Sequence, residues 1–382
     1  MNKILILGTK NYDYDLNNVL IKKGFDVYFC GNSRSPLIPK DKWININYTD
    51  ITSLNNFINL NKDFKYIIPG SNDLAYLSVS ELTYNKNLNN LIKIDTLKVA
   101  KDYLLKSRFR KNQLSNFVNF PKKLDIQNIK NREEKFLLKN DGLSGGKGIF
   151  FFENWIEFKK AKSKINYNRD STFEDFIDGS GHAASFFLVN KKIRIEFFDN
   201  EYYAKDKLAV IATSTPTLLN ENLKEKLRNF CKEYAIKQNL CDGLFHIQCI
   251  KSKEKIFIIE CTRRLPGDYY HIFSSLYLQK SYLTYYVNGF LNEVNDVQKE
   301  KEKINHNKCV VRVVCDEKIK YTIKCNETLQ NIIIKNLISE MPLDGYRFGE
   351  GQNKFKKDKA IFLTFNQLET ANKFCKNLSE KL

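Results

Sequence analysis

Apolar residues first gather in the run Lys3–Gly8, KILILG, which reads as a buried strand ending in glycine. Leu16, Val19 and Leu20 then mark one face of a helix that closes at Gly24, and Phe25–Cys30 returns to a strand ended by Gly31. Strand, helix and strand in that order predict a β-α-β unit with a parallel sheet. A second unit follows, with a helix over Ile51–Leu60, a strand over Tyr66–Pro69 and the turn GSND at 70–73. Ser71 or Asn72 is placed to cap a helix beginning near Asp73. Loops near Gly8, Gly31 and Gly70, at the carboxyl ends of these strands, would face any ligand cleft. Thr96–Phe117 reads as one long basic helix ending before Pro121, with Lys106 and Arg110 four apart on one face.

Beyond Pro121 the pattern turns strand-rich. Lys135–Lys139 and Gly148–Phe152 are strands on either side of the loop NDGLSGGKG, and a helix starts near Asn154. Ser171–Ile177 is a short strand, Ala183–Val189 and Ile193–Phe198 form a hairpin continued by Ala209–Thr213, and Leu223–Gln238 is helical. The stretch around which the rest is organised is Gly243–Asp268, GLFHIQCIKSKEKIFIIECTRRLPGD. Its apolar run Leu244–Ile250, polar reversal Lys251–Lys255 and apolar run Ile256–Ile259 predict a buried hairpin, covered by a helix from about Asp268 to Leu278. Gln298–Lys308 reads as a charged linker. Cys309–Leu382 reads as a small α+β appendage that carries no recognisable chemistry.

Composition narrows the class. Of 382 residues 42% are hydrophobic and 13% aromatic, which describes a folded chain. No run of about 18 uncharged apolar residues is present to span a membrane. The N-terminal run reads as a strand, not an export signal, so the nine cysteines, without a CxxC pair, are expected as reduced core thiols of a cytoplasmic protein. The net charge of +18 raises nucleic-acid binding, but the lysines are spread along the chain and no recognition signature accompanies them. No specific nucleic-acid partner is expected; a basic surface equally attracts anionic substrates.

Candidate chemistry centres on the polar residues inside the apolar hairpin. Gln248 and Glu260 sit within or at the end of its two strands, with Arg263 and Arg264 just beyond. Two oxygen side chains on paired strands with cations behind them suit Mg2+ and the phosphates it bridges. A structural Glu260–Arg264 ion pair explains the same residues and stays open. The glycine loop is not a Walker loop, since position 141 is Asp and position 148 is Gly, and the first β-α turn lacks the G-x-G-x-x-G pattern. Gly142, Gly145, Gly146 and Gly148 at a hairpin tip can instead bring backbone N–H groups onto phosphate oxygens, with Lys139 and Lys147 supplying charge. An ordinary hairpin tip is the alternative. The strand Ser171–Ile177 can offer its backbone edge to a purine.

Taken in order, Lys106, Arg110, Lys139, SGGKG, FEDFIDG, Gln248 and IECTRR resemble the ATP-grasp superfamily of the carboxylate–amine ligase type, over roughly the first 290 residues. The resemblance implies a multidomain α/β plus α+β chain. Residues 1–95 would be an open parallel α/β pre-ATP-grasp domain. Residues 96–297 would be the ATP-grasp domain, with a lid over about 118–172 and a central antiparallel sheet over 173–297. Residues 298–382 would be the linker and the small C-terminal subdomain. It further implies that Lys106, Arg110 and Lys139 meet the nucleotide phosphates and that Ser144, Gly145, Gly146, Lys147 and Gly148 close over them. Glu174 with the backbone of Asp175, Phe176 and Ile177 would form the adenine hinge, and His182 falls near the place of the usual ribose-binding acid. Gln248, Glu260 and Thr262 would stand at the metal, where most members have two acids and an Asn; Gln followed by Glu is similar to the synthetase halves of the carbamoyl phosphate synthase large subunit. Arg264 matches the arginine that stabilises an acyl phosphate, so Arg264, Lys139, Gly145 and Gly146 are the implied catalytic groups. The implied cofactors are ATP and Mg2+, with Mn2+ as a substitute. The implied partners are a small-molecule carboxylate, an amine or other nucleophile, and a second copy of the chain. A non-catalytic ATP- or metabolite-binding protein of the same fold is the alternative, and a nucleic-acid-binding protein the more distant one.

Overall fold

The computed structural model describes residues 1–85, 91–109, 115–140, 148–165, 171–204, 209–293, 308–342 and 359–382. Strands β1 (Asn2–Leu7), β2 (Phe25–Cys30), β3 (Trp43–Ile44) and β4 (Phe64–Pro69) form a parallel sheet in the order β3-β2-β1-β4. Ile4 and Ile6 face Val27 and Ile68 in register, so the apolar first run is the inner strand, as the pattern required. The helix Ile51–Leu60 starts where Asp50 accepts the Ser53 N–H at 3.0 Å, and Asn72 accepts the Leu74 N–H at 2.8 Å at the head of the helix Asp73–Asn85. Asp13 ties two carboxyl-end loops together by accepting the N–H groups of Lys10 (2.9 Å) and Ser71 (2.8 Å). A Cβ on Gly8 or on Gly70 would lie 2.6 Å from its carboxylate, so both loops need glycine there.

A second sheet is antiparallel, with β5 (Lys123–Leu124), β6 (Phe136–Lys139), β7 (Ile149–Phe152) and β8 (Thr172–Asp175) in the order β5-β8-β6-β7. It has its own aromatic core, in which Phe136 lies 5.3 Å from Phe152 and Phe158 lies 5.5 Å from Phe173 between ring centroids. Strand β8 is an inner strand, which differs from the free edge expected for it. The Asp175 and Phe176 N–H groups bond to Lys122 O (3.0 Å) and Lys135 O (3.4 Å).

The third sheet organises the molecule. Strands β9 (Ser180–Val189), β10 (Lys192–Tyr203), β11 (Val210–Thr215), β12 (Gly243–Ser252), β13 (Lys255–Thr262), β14 (Cys309–Cys315), β15 (Leu337–Pro342) and β16 (Lys359–Phe365) run in the order β13-β12-β9-β10-β11-β14-β16-β15. The C-terminal segment is therefore no separate appendage: β14 pairs with β11, with Thr213 opposite Arg312, and continues the same sheet. The reason is in CVVRVVC, all seven of whose residues are buried. Val310 and Val314 join the main core while Val311 and Val313 join a second one, so the strand needs neighbours on both edges and both faces. Strand β10 likewise outruns its expected end at Phe198, because Asp199, Asn200 and Glu201 still pair with Ala183, His182 and Gly181. The expected long helix over Thr96–Phe117 breaks at Leu105, whose ψ of 117° is extended, into Leu97–Leu104 and the single turn Lys106–Phe109. Among the described residues no helix is long and apolar enough to cross a membrane.

Alternation sorts the central sheet into two faces. Phe245 and its neighbours pack on the helix Glu221–Lys237, where the Tyr234 and Phe245 rings stack at 5.5 Å. On the other face Phe187 and Phe197 meet Tyr282 (4.8 Å) and Phe273 (5.4 Å) of the helices Tyr282–Leu291 and Tyr270–Leu278. Further along that second face the side chains turn polar, with Gln248, Glu260 and Glu201 opening onto a cleft.

Just past β13 the sheet is anchored by a buried ion pair. Arg263 Nε lies 3.2 Å from Asp95 Oδ2, both side chains being at most 2% exposed. Tyr76 and Tyr103 hydroxyls donate to Asp95 at 3.0 and 2.8 Å, and Arg263 Nη2 donates to the carbonyls of Cys241 (2.6 Å) and Asp242 (3.0 Å). Asp95→Ala should destabilise the protein by about 3–5 kcal/mol, since it strands a buried guanidinium. Urea unfolding checks this; a loss under about 1 kcal/mol would show that the pair is not an anchor.

Candidate active site

All three sheets contribute to one cleft of about 1360 Å3. The parallel sheet supplies its carboxyl-end loops at Gly8–Lys10, Asn32–Ser33 and Ser71–Asn72, as expected from the strand ends. From the second sheet come Leu137, Lys139, Ile149 and the stretch Glu174–Asp178. The register puts Leu137 opposite Glu174 and Lys139 opposite Thr172, which brings the Lys139 ammonium onto the Glu174 carboxylate. The two are 3% and 0% exposed, so each neutralises a charge that could not be buried alone. Asp175 is held by Arg132 at 2.9 Å, and Phe176 packs edge-on against Phe151 at 5.1 Å. Gly148 closes the base of the hairpin, its carbonyl accepting the Asn140 N–H at 2.9 Å, with a φ of 68° that favours glycine.

On the central sheet Gln248 stands directly opposite Glu260. The register shifts just beyond this pair, and the bulge carries both Ile259 and Glu260 to the cleft. Glu201 of β10 reaches the same place: its carboxylate accepts the Gln248 amide at 2.7 Å and the Tyr203 hydroxyl at 2.7 Å. Burial raises the Glu201 pKa, with nearby Glu260 acting in the same direction. Burial and then Glu201 push the Asp199 carboxyl well up, while Tyr270 donates to it. Arg312 offsets part of this charge and stacks over Tyr270 at 5.3 Å. Its Nη1 donates to the carbonyls of Gly267 (3.2 Å) and Asp268 (3.1 Å).

This donor set fits Mg2+. One carboxylate, one amide carbonyl and a surplus of nearby negative charge suit a hard cation that completes its shell with waters and phosphate oxygens. Among the described residues no three His, Cys, Asp or Glu side chains converge as a metal cage.

Arg264 faces the cleft with its fork on Asp73, Nε to Oδ1 at 2.9 Å and Nη2 to Oδ2 at 3.3 Å. Its hydrogen-bonded carboxylate is thus Asp73, while Glu260 acts on it through charge alone. Thr262 donates to the same Asp73 at 3.0 Å and accepts the Arg264 N–H at 3.3 Å. His246 sits on the cleft floor, bonded to Ser185 at 2.9 Å, with its pKa driven down to about 3 by burial, Arg264 and Arg312.

Residues 106–268 match the family described as ATP-grasp domain. Over these residues the chain is similar to ATP-grasp domains. No curated protein sequence matches it. Its fold is that of L-amino acid ligase from Bacillus licheniformis (TM-score 0.73, 12% identity, covering 100% of this chain and 98% of that one). It is also similar to carboxyaminoimidazole ribonucleotide synthase from Aspergillus clavatus complexed with ATP (TM-score 0.72, 11% identity, 100% and 98% covered). Phosphoribosylglycinamide synthetase from Anaerococcus prevotii is a further relative in fold (TM-score 0.67, 14% identity, 100% and 98% covered).

Within the matched residues, Lys139, Glu174, Asp175, Phe176, Ile177, Gln248, Glu260, Thr262 and Arg264 come together at the cleft, and His182 borders it from the other sheet face. Lys106 is not among the cleft-lining residues, because the chain turns at Leu105 and restarts as a single helical turn. Arg110, Ser144, Gly145, Gly146 and Lys147 lie outside the described residues. The Thr262 hydroxyl joins Asp73 to Arg264. Sequence reading missed Glu201, Asp73, His246 and Arg312. Two of them left a signal: Phe197, Asp199 and Glu201 keep the strand's period of two, and Arg312 interrupts an otherwise uniformly apolar run.

His182 is buried on the sheet face opposite the acids, its Nε2 2.8 Å from Ser180 Oγ and its Nδ1 3.3 Å from Thr217 Oγ1. Burial is the first cause that lowers its pKa from 6.5 to about 4. A depressed histidine pKa contributes stability that is fully present above about pH 6.5 and lost as pH falls toward about 4. His182→Asn should remove that loss, so its stability relative to wild type improves by about 1.4 kcal/mol per pH unit on acidification across this window. Urea titrations at pH 7, 6 and 5 measure it; parallel curves would mean that the ring is not held neutral.

Proposed function

We propose that the chain is an ATP- and Mg2+-dependent ligase that activates a carboxylate as an acyl phosphate and joins it to an amine or similar nucleophile, releasing ADP and phosphate. The observation that carries this is the facing pair Gln248 and Glu260 in a cleft that also holds Lys139 and Arg264, inside an ATP-grasp domain. Proteins similar in fold include ligases and synthetases, one of them complexed with ATP.

In this reading adenine lies against the apolar wall of Leu137, Ile149, Phe176, Ile177 and Ile259, beside the hinge Glu174–Ile177. Lys139 and, from the resemblance, Gly145, Gly146 and Lys147 meet the phosphates. Gln248 and Glu260 would hold Mg2+, which would offset the charge of the phosphates. The substrate carboxylate attacks the γ-phosphoryl group; the new acyl phosphate carries charge where Arg264, oriented by Asp73, stands. The nucleophile then displaces phosphate. Its approach is from the carboxyl-end loops of the parallel sheet, across the cleft from the adenine wall.

ADP release over pools of carboxylates and amines is the direct test. Glu260→Gln is isosteric, so it should retain the melting temperature and lower Mg2+-dependent ADP release to below about 1% of wild type. ATP binding without ADP release under any substrate pool would replace the ligase by a non-catalytic ATP-binding protein.

A further inference from the structure

Gln248 stands where a carboxylate would need no orientation, because both of its oxygens are alike. An amide has two unlike ends, a carbonyl that suits a cation and an NH2 group that repels one. Something in the chain must choose between them. Gln248 Nε2 donates to Glu201 Oε1 at 2.7 Å, and the Tyr203 hydroxyl donates to Glu201 Oε2 at 2.7 Å. A carboxylate that accepts from both sides draws the amide nitrogen toward β10 and turns the amide oxygen back toward Glu260, the cross-strand partner of Gln248.

The sheet is built to allow this contact. Glu201 and Gln248 are two strands apart, about 10 Å by the usual strand spacing, with β9 between them. At the crossing β9 presents Gly181, opposite Glu201, and Ala183, opposite Gln248. A Cβ on Gly181 would fall 2.2 Å from the Tyr203 ring and 2.9 Å from the Glu201 carbonyl oxygen. Small residues on the middle strand let two long side chains and a tyrosine meet above it.

We infer that Glu201 is a positioning residue that locks the Gln248 amide with its oxygen toward the metal position shared with Glu260. The inference rests on the metal reading given above. Glu201→Gln replaces an obligate acceptor with a group that can accept or donate, so the Gln248 amide is free to flip. The swapped pair Glu201→Gln with Gln248→Glu keeps the hydrogen bond, and an acid at 248 needs no orienting. Gln248→Glu alone sets two carboxylates against each other.

The test is titration of each variant with Mn2+ alone, without nucleotide, read by electron paramagnetic resonance, alongside its melting temperature. Glu201→Gln should weaken Mn2+ binding about tenfold or more, as losing an outer partner of a metal ligand does. Tyr203→Phe leaves the charge in place but loosens the carboxylate, and should weaken binding in the same direction by less. The swapped pair should return to within about threefold of wild type. Glu260→Gln should lose Mn2+ binding in every background. Retained binding in Glu260→Gln would sink the metal reading itself. Loss in Glu260→Gln with wild-type binding in both Glu201→Gln and Tyr203→Phe would overturn the role of Glu201 alone. A weak Glu201→Gln that the swap does not restore would also overturn it, because the carboxylate at 201 would then be needed for itself. Lower melting temperature with unchanged Mn2+ affinity would leave Glu201 a structural residue only.

Discussion

Two consecutive arginines hold the molecule's geometry, and they do so by pointing to opposite sides of one chain. Arg263 turns into the core onto Asp95, while Arg264 turns into the cleft onto Asp73. Both aspartates come from the first hundred residues, so a single dipeptide at the end of β13 fastens the parallel domain to the central sheet twice. The desolvation of a buried guanidinium is affordable only with its partner in place. The position of Arg264 over the cleft is therefore inherited from the docking of two domains, not from its own strand.

That arrangement explains how a cleft with so much charge stays ordered. Lys139 with Glu174, Arg264 with Asp73, and Arg312 beside Asp199 and Glu201 set a cation against each acid or acid pair, each drawn from a different element. Glu260 lies on the edge strand of the sheet, next to Gln248, and its charge also acts on Arg264.

Local periodicity carried most of the fold. The parallel β-α-β start and the hairpin from Gly243 onward were legible because each depends on residues close in sequence, whereas the bulge that sets Gln248 against Glu260 was not. What escaped depends on contacts between distant segments. DNEYY at 199–203 lies past the strand end expected at Phe198 and becomes strand because β9 lies alongside to pair with it. The basic stretch after Thr96 has helical propensity throughout, yet Leu105 breaks it as Phe109 turns in to pack on Phe120 and Tyr234. Arg264 could be assigned to a cation's task from its motif, but its partner, 191 positions away, could not.

The addition of β14 to the central sheet has a consequence for how the molecule is made. Arg312 enters the cleft from a strand near the end of the chain, and β16, the other neighbour of that strand, comes later still. During synthesis most of the other cleft walls and the arginine dipeptide emerge before this residue does. Until then β11 has a bare edge, and the Gly267 and Asp268 carbonyls lack the guanidinium that receives them. A nascent chain therefore cannot possess a finished cleft. No stretch of the chain that stops short of β14 therefore contains all of the cleft.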